Sequence, residues 1–381
     1  MMKIKIGLGL ILAAVIFCAP NFAFAQEGPD AEPPLDLLAG STPAAAPAVE
    51  FAPHYPDYNL MVRQVYELEE KHPDLVKIEE FGRTVEDRPM LAVRIFRNDG
   101  VARPSAMVAG NIHGNEMIGN RMAMAVAQRL AEGADSDPWV KGLLDKMDFW
   151  IIPCINPDGY FKTVELFQKG DLKGHRKNAN DVDLNRNFLL PEPRRLKINW
   201  AGSPKKENPN YHGPFPMSEP EDQAVKMFLD KHPVFGSINY HSVQGVLFPA
   251  RCKGRVCARQ HQQMGGAYRS HQKNVKYMYV RWPGWLDTFT GEMEDMQYHF
   301  YGTLAIDIEL GKAKKNQDAA KKELGESIGP SKLTVYNSGF WTFNPINLEY
   351  WIENDRDATI YALEKAFEIT GGKPIPREKR K

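Results

Sequence analysis

His113 and Glu116 stand three residues apart in Gly110-Asn111-Ile112-His113-Gly114-Asn115-Glu116. At a helix start that spacing lets both side chains point the same way. A neutral imidazole and a carboxylate are competent ligands for zinc, which then needs one more protein group and an open position for water. Taken alone, the pair also suits a cap at a helix N-terminus, and the commoner His-Glu-x-x-His signature is absent. The candidate third ligand is His241, in Ser237-Ile238-Asn239-Tyr240-His241-Ser242. Strand alternation puts Asn239 and His241 on one face and Ile238 and Tyr240 on the other. Open α/β sheets bind ligands beyond the carboxyl ends of their strands, and His241 stands at such an end.

Two more segments carry groups able to do chemistry. In Leu304-Ala305-Ile306-Asp307-Ile308-Glu309-Leu310-Gly311, Ile306, Ile308 and Leu310 form an apolar face while Ala305, Asp307 and Glu309 share the other. Two carboxylates on one face of an otherwise apolar strand are costly unless they line a cleft or meet cations. The alternative is the solvent face of an edge strand. The polar run from His175 to Phe188 reads as a loop and holds Arg176, Asp183, Asn185 and Arg186. Guanidinium forks suit bidentate recognition of carboxylates, although the loop alone also fits a plain solvated surface.

Positioning these groups requires strands interleaved with helices. An amphipathic stretch from Pro56 to His72, with Leu60, Val65 and Leu68 on one side, ends at Pro73. Val76–Ile78, Leu91–Phe96, Ala106–Ala109, Phe149–Pro153, Phe235–His241 and Leu304–Leu310 read as strands. Helices are expected over Glu116–Ala131, Glu219–Lys231, Gln260–His271 and Leu348–Ile369. The pattern predicts an α/β fold: a mixed, mostly parallel twisted sheet with helices on both faces, in a single catalytic domain over residues 51–372.

The flanks read differently. Lys3 and Lys5, the apolar run Ile6–Phe17 and the small-x-small Ala23-Phe24-Ala25 predict a signal peptide over 1–25. Residues 26–50 read as a flexible Pro/Ala-rich leader and 373–381 as a basic tail. Export to the periplasm or outside follows, with no integral membrane span in the mature chain. In that setting Cys252 and Cys257, five residues apart around a glycine, can form a small disulfide loop, while Cys154 reads as a buried, inert thiol. The 48 basic and 48 acidic residues argue against a nucleic-acid footprint or a polybasic membrane surface. Removing Lys3 and Lys5 leaves 46 against 48, a net of −2, so processing keeps the charge close to balance.

Together the segments resemble the zinc carboxypeptidases, the carboxypeptidase A-like metallopeptidases. The matching pieces are His113-x-x-Glu116, Asn156-Pro157-Asp158-Gly159, Arg176, Asp183-x-Asn185-Arg186-Asn187, Asn239-Tyr240-His241-Ser242 and Glu309-Leu310-Gly311. They fall in the family's order across roughly residues 55–370. The resemblance implies one zinc per chain held by His113, Glu116 and His241. It makes Glu309 the general base and Arg176 the group that polarises the scissile carbonyl. Asn185 and Arg186 would grip the substrate's terminal carboxylate, and Asp183 would fix the tautomer of His113. One departure is the family's mobile tyrosine: the corresponding stretch, Trp285-Leu286-Asp287-Thr288, has none, and Tyr277, Tyr279 and Tyr298 stay open as substitutes.

The resemblance also places Glu294, fifteen residues before Glu309, at the floor of the pocket for the departing side chain. Asp307 shares the Glu309 face and offers that pocket a second acid. Two acids in a partly desolvated pocket favour a cationic C-terminal residue such as Lys, Arg or diaminopimelate. The expected partner is therefore a peptide with a free C-terminus. The alternatives are a zinc amidohydrolase or peptidoglycan-peptide trimming enzyme of the same fold and, more remotely, an inactive peptide-binding module.

Overall fold

Strands and helices alternate along the residues described by the computed structural model, 50–193, 201–252, 254–281, 288–325 and 339–376. A short hairpin of β1 (Glu50–Ala52) and β2 (Tyr55–Pro56) precedes α1 (Tyr58–Lys71), which is capped by the Asp57 carboxylate accepting from Leu60 N at 2.8 Å. Then come β3 (Val76–Arg83), β4 (Pro89–Ile95), β5 (Ser105–Ala109), α2 (Met117–Gly133), α3 (Pro138–Leu144), β6 (Asp148–Ile152) and α4 (Pro157–Gln168). The second half holds α5 (Pro220–Lys231), β7 (Val234–Ser242), β8 (Val246–Pro249), α6 (Arg255–His271), β9 (Met278–Tyr279) and α7 (Met293–Met296). It closes with β10 (Leu304–Leu310), α8 (Ala313–Leu324), α9 (Phe340–Phe343) and α10 (Leu348–Thr370).

Apart from the hairpin, the strands form one eight-stranded sheet in the order β3-β4-β6-β5-β7-β10-β8-β9. The middle four, β6, β5, β7 and β10, run parallel. The pairs β3–β4, β4–β6 and β10–β8 are antiparallel. The sheet is therefore mixed and parallel at its centre, as the sequence pattern predicts.

Period-two alternation sends apolar side chains to both faces. Leu91, Val93, Ala106, Val108, Phe149 and Ile151 join the core built with α1, α2, α6 and α10. Their neighbours Met90, Ala92, Met107, Ala109, Trp150 and Ile152 join a second core with Ala224, Val225, Phe228 and Leu229 of α5. Helices thus cover both faces, and the central strands read as nearly continuous apolar runs because both sides are buried.

This topology sets up the site. Neighbours β5, β7 and β10 point the same way, with Ala109 paired to Asn239 and Glu309 paired to His241. Their carboxyl ends converge, so the loop after β5, the end of β7 and the end of β10 meet at one place.

Several local expectations shift. Helices α3, α4 and α8 add to those the sequence pattern predicts, and α6 begins at Arg255, after Gly254, rather than at Gln260. Packing continues past 372: Ile375 is buried and its N–H donates to Gly302 O at 2.7 Å. Cys252 and Cys257 are joined in a disulfide with Cα atoms 5.7 Å apart. Cys154 is a buried free thiol whose pKa burial pushes up. Residues 1–49, Trp285 to Asp287 and the tail from Arg377 onward lie outside the described residues. No helix among those described is long and apolar enough to cross a membrane.

Candidate active site

The loop after β5 is held by backbone contacts that tolerate no side chain. A Cβ on Gly114 would lie 2.1 Å from the carbonyl carbon of Gly159, in the first turn of α4. Asn156 fixes this approach: its Oδ1 accepts from Gly159 N at 2.8 Å while its Nδ2 donates to Ile112 O at 3.1 Å. Asn111, with a left-handed φ of 57°, donates from Nδ2 to His113 O at 2.7 Å, and Glu116 N–H donates to the same carbonyl at 3.0 Å. Asp158 anchors α4 by accepting from Thr84 Oγ1 at 2.7 Å, Glu86 N at 3.0 Å and Arg88 Nη1 at 2.6 Å. The Asn156-Pro157-Asp158-Gly159 stretch therefore clamps the segment carrying His113 and Glu116. The motif is visible in the sequence, but this role is not.

His113, Glu116 and His241 are all buried, and their polar atoms converge. His113 Nδ1 is 3.0 Å from Glu116 Oε1, and His241 Nδ1 is 3.2 Å from both Glu116 Oε2 and His113 Nδ1. Behind His113, Nε2 lies 3.2 Å from Asp183 Oδ1. Asp183 in turn accepts from Arg176 Nε at 3.1 Å and Nη2 at 3.0 Å. The third nitrogen of that guanidinium, Nη1, faces His113 Nδ1 at 3.1 Å and Glu116 Oε1 at 3.5 Å. Burial raises the pKa of the Asp183 carboxyl, but Arg176 and His113 outweigh it and hold the group well below the usual carboxylate range. Similarly, His113 and His241 overcome the burial of Glu116 and keep it ionised. Two imidazole nitrogens and a carboxylate facing one buried point form the donor set of a zinc site with an open position, so the residues present fit that metal.

Glu309 flanks this point across the β7–β10 pairing. Burial, and then the Glu116 carboxylate, push its pKa up to about 7, and its Oε2 accepts no hydrogen bond among the described residues. Asn185 and Arg186 sit on a 3₁₀ turn, Leu184–Arg186, with Asn185 Nδ2 3.3 Å from His241 Nε2. Arg186 Nη1 pairs with Glu292 Oε1 at 3.1 Å.

Glu292 also bonds the wholly buried Arg251, a residue that no sequence motif marks. Arg251 donates to Asp295 Oδ2 at 2.7 Å, and Glu294 Oε1 is 3.9 Å from it. Glu294 is buried, so the carboxyl expected on a pocket floor is packed beside an arginine, and its Oε2 accepts no hydrogen bond among the described residues. Burial, with Asp307 and Glu292 nearby, raises its pKa well above the usual range. Asp307 turns towards His241 and Asn239: its Oδ2 is 3.4 Å from His241 Nε2 and its Oδ1 accepts from Asn239 Nδ2 at 2.9 Å. Of the three tyrosines left open, Tyr277 is buried and donates its hydroxyl to Asp355 at 2.6 Å, and Tyr298 is wholly buried. Tyr279 is only partly buried.

Comparison with known proteins bears on the family and the fold. The zinc carboxypeptidase family profile matches residues 61–324, more than half of the chain. Mast cell carboxypeptidase A of Rattus norvegicus is 32% identical over 204 residues, covering 51% of this chain and 47% of that protein. The catalytic chain of carboxypeptidase N from Mus musculus is 30% identical over 196 residues, covering 48% and 41%. The chain thus spans about half the length of the curated relatives it matches. The crystal structure of thrombin activatable fibrinolysis inhibitor superposes with a TM-score of 0.63 at 20% identity, over 84% of this chain and 77% of that one. A metallo-carboxypeptidase from Burkholderia cenocepacia gives 0.54 at 16% identity, over 80% and 68%. At those identities the structures speak for the fold. Taken with the profile match, they establish that the chain belongs to the zinc carboxypeptidase family.

Proposed function

We propose that this chain is a zinc metallocarboxypeptidase that hydrolyses the C-terminal peptide bond of peptides, using one zinc held by His113, Glu116 and His241. The observation that carries the reading is the convergence of those three ligand atoms beside Glu309 and Arg176. When bound, zinc supplies Lewis-acid activation of a water and of the scissile carbonyl. Glu309, placed beside the ligand atoms by its pairing with His241, is positioned to take a proton and return it to the leaving amine. Arg176, steered by Asp183, provides a fixed positive charge where the oxyanion develops. Asn185 and Arg186 receive the terminal carboxylate. In the structure Glu292 occupies Arg186, a carboxylate standing where the substrate's would bind.

The reading extends to specificity and location. Glu292, Glu294 and Asp295 gather around Arg251, with Arg186 also on Glu292, so three acids meet two cations in this buried cluster. A departing Lys or Arg side chain would bring a cation to Glu294 Oε2, which accepts no hydrogen bond among the described residues. Release of C-terminal Lys or Arg is expected to exceed that of Phe or Leu at least tenfold in kcat/KM, about 1.4 kcal/mol. The N-terminal pattern over 1–25 and the Cys252–Cys257 disulfide support an exported, periplasmic or secreted enzyme.

A panel of peptides differing in C-terminal residue and amidation tests the reading. Arg186→Ala should impair cleavage of free C-termini far more than of amidated ones, and Glu294→Gln should shrink the basic preference. Equal losses on free and amidated peptides would contradict C-terminal anchoring.

A further inference from the structure

We infer that Asp307 is a positioning residue for His241, holding the ring so that Nδ1 faces the metal, as Asp183 does for His113. The inference rests on the zinc reading above. In His241 it is Nδ1 that faces Glu116 and His113, so Nδ1 is the ligand nitrogen and must carry a lone pair. The ring proton then belongs on Nε2 and needs an acceptor there.

Among the described residues two polar groups approach Nε2: Asn185 Nδ2 at 3.3 Å and Asp307 Oδ2 at 3.4 Å. Asn185 is fixed in orientation because its Oδ1 accepts from Met293 N at 2.9 Å, so its NH₂ faces the ring and cannot accept. Asp307 therefore supplies the acceptor. Its carboxylate is held by Asn239, whose Nδ2 donates both to Asp307 Oδ1 and to Gln297 Oε1 at 2.9 Å. Asn239 Oδ1 accepts from Ser237 Oγ at 2.9 Å. The network is buried throughout, and the β7–β10 register sets it by pairing Asp307 with Asn239 and Glu309 with His241. Each histidine thereby has one carboxylate behind it. This differs from placing Asp307 among the acids that select the departing side chain, and the two roles separate experimentally.

Asp307→Asn keeps the shape and reverses the hydrogen bond. Asn239 still donates to residue 307, so the new amide must turn its NH₂ towards His241 Nε2. Two NH₂ groups then face Nε2, favouring a proton on Nδ1 and blocking the ligand nitrogen.

The experiment measures zinc affinity of the full chain by competition with a chromogenic chelator, for wild type and Asp307→Asn. The variant should bind zinc 10–100-fold more weakly, on the order seen when such outer partners are removed. Its metal-free chain should still unfold in one cooperative transition, and its Lys-over-Phe ratio in kcat/KM at saturating zinc should stay within twofold of wild type. Absence of zinc binding by wild type overturns the site reading itself. One tight zinc in wild type with affinity within threefold in the variant overturns this inference alone. A collapsed Lys-over-Phe ratio with intact zinc affinity also overturns it and assigns Asp307 to substrate selection. If the variant does not fold, imidazole ¹H–¹⁵N spectra of zinc-loaded wild type decide: a slowly exchanging Nε2 proton on His241 supports the inference, and an unprotonated Nε2 refutes it.

Discussion

Gly114→Ala should damage the metal site from a position that touches no metal. A Cβ there meets backbone atoms of Gly159 at 2.1, 2.4 and 2.5 Å, where ordinary contact begins at 3.4 Å. No flexible side chain can move aside, so the loop and the first turn of α4 must separate by about 1.3 Å, in a region packed like an organic crystal. Overpacking of this kind costs about 1–3 kcal/mol. The displaced segment carries His113 on one side and Glu116 on the other, so the ligand atoms now within 3.0 Å of each other must move too. A misplacement near 1 Å in a catalytic constellation costs on the order of 100-fold in rate. Gly266→Ala is the matched control: it lies on the exposed face of α6 with nothing within 4 Å of its Cβ, and should stabilise by about 0.5–1 kcal/mol. Thermal unfolding of the metal-free chains, zinc affinity and kcat/KM are measured for both variants. Wild-type zinc affinity and melting temperature in Gly114→Ala would falsify the claim that this close approach positions the ligands.

Other outcomes follow from the same geometry. Glu309→Gln should keep stoichiometric zinc and lose about 10²–10⁴-fold in kcat, since only proton transfer is removed; loss of zinc along with activity would mean the residue is structural. Burial raises the Glu221 pKa from 4.5 to about 7, so the folded chain holds this proton more tightly than the unfolded one. Its contribution to stability is therefore present below pH 4.5 and lost as pH rises towards 7, worth about 3 kcal/mol. Urea unfolding should show Glu221→Gln gaining on wild type across that window, and a flat difference would refute the assignment. Opening the six-residue Cys252–Cys257 loop by a double Cys→Ser change should cost about 2 kcal/mol by loop entropy, checked by denaturant midpoint.

The chemistry was more legible in the sequence than the scaffolding around it. Alternation alone put Asp307 and Glu309 on one face of β10 and His241 stood at a strand end, but only the pairing of β10 with both β7 and β8 excludes the edge-strand alternative. What escaped has physical reasons. Helix α4 begins with Pro157 and Gly159, which read as a turn when the Asn156 cap and the contact with Gly114 cannot be seen. Helix α8 buries only Asn316 and Ala320, too little for an apolar period to show. Arg251 looks like a surface cation until its partners Glu292 and Asp295, 41 and 44 residues away, are brought to it. The same distance effect hid the orientation of Asp307, because alternation gives a face and says nothing of which neighbour the carboxylate meets.

The most direct test of the account is mass-spectrometric analysis of a peptide ending in a free Lys, beside its C-terminally amidated twin, after incubation with the zinc-loaded full chain. The account predicts loss of one C-terminal residue from the free peptide and almost none from the amide, abolished by a chelator and restored by zinc. Internal cleavage, equal attack on the amide, or release that persists without metal would contradict it.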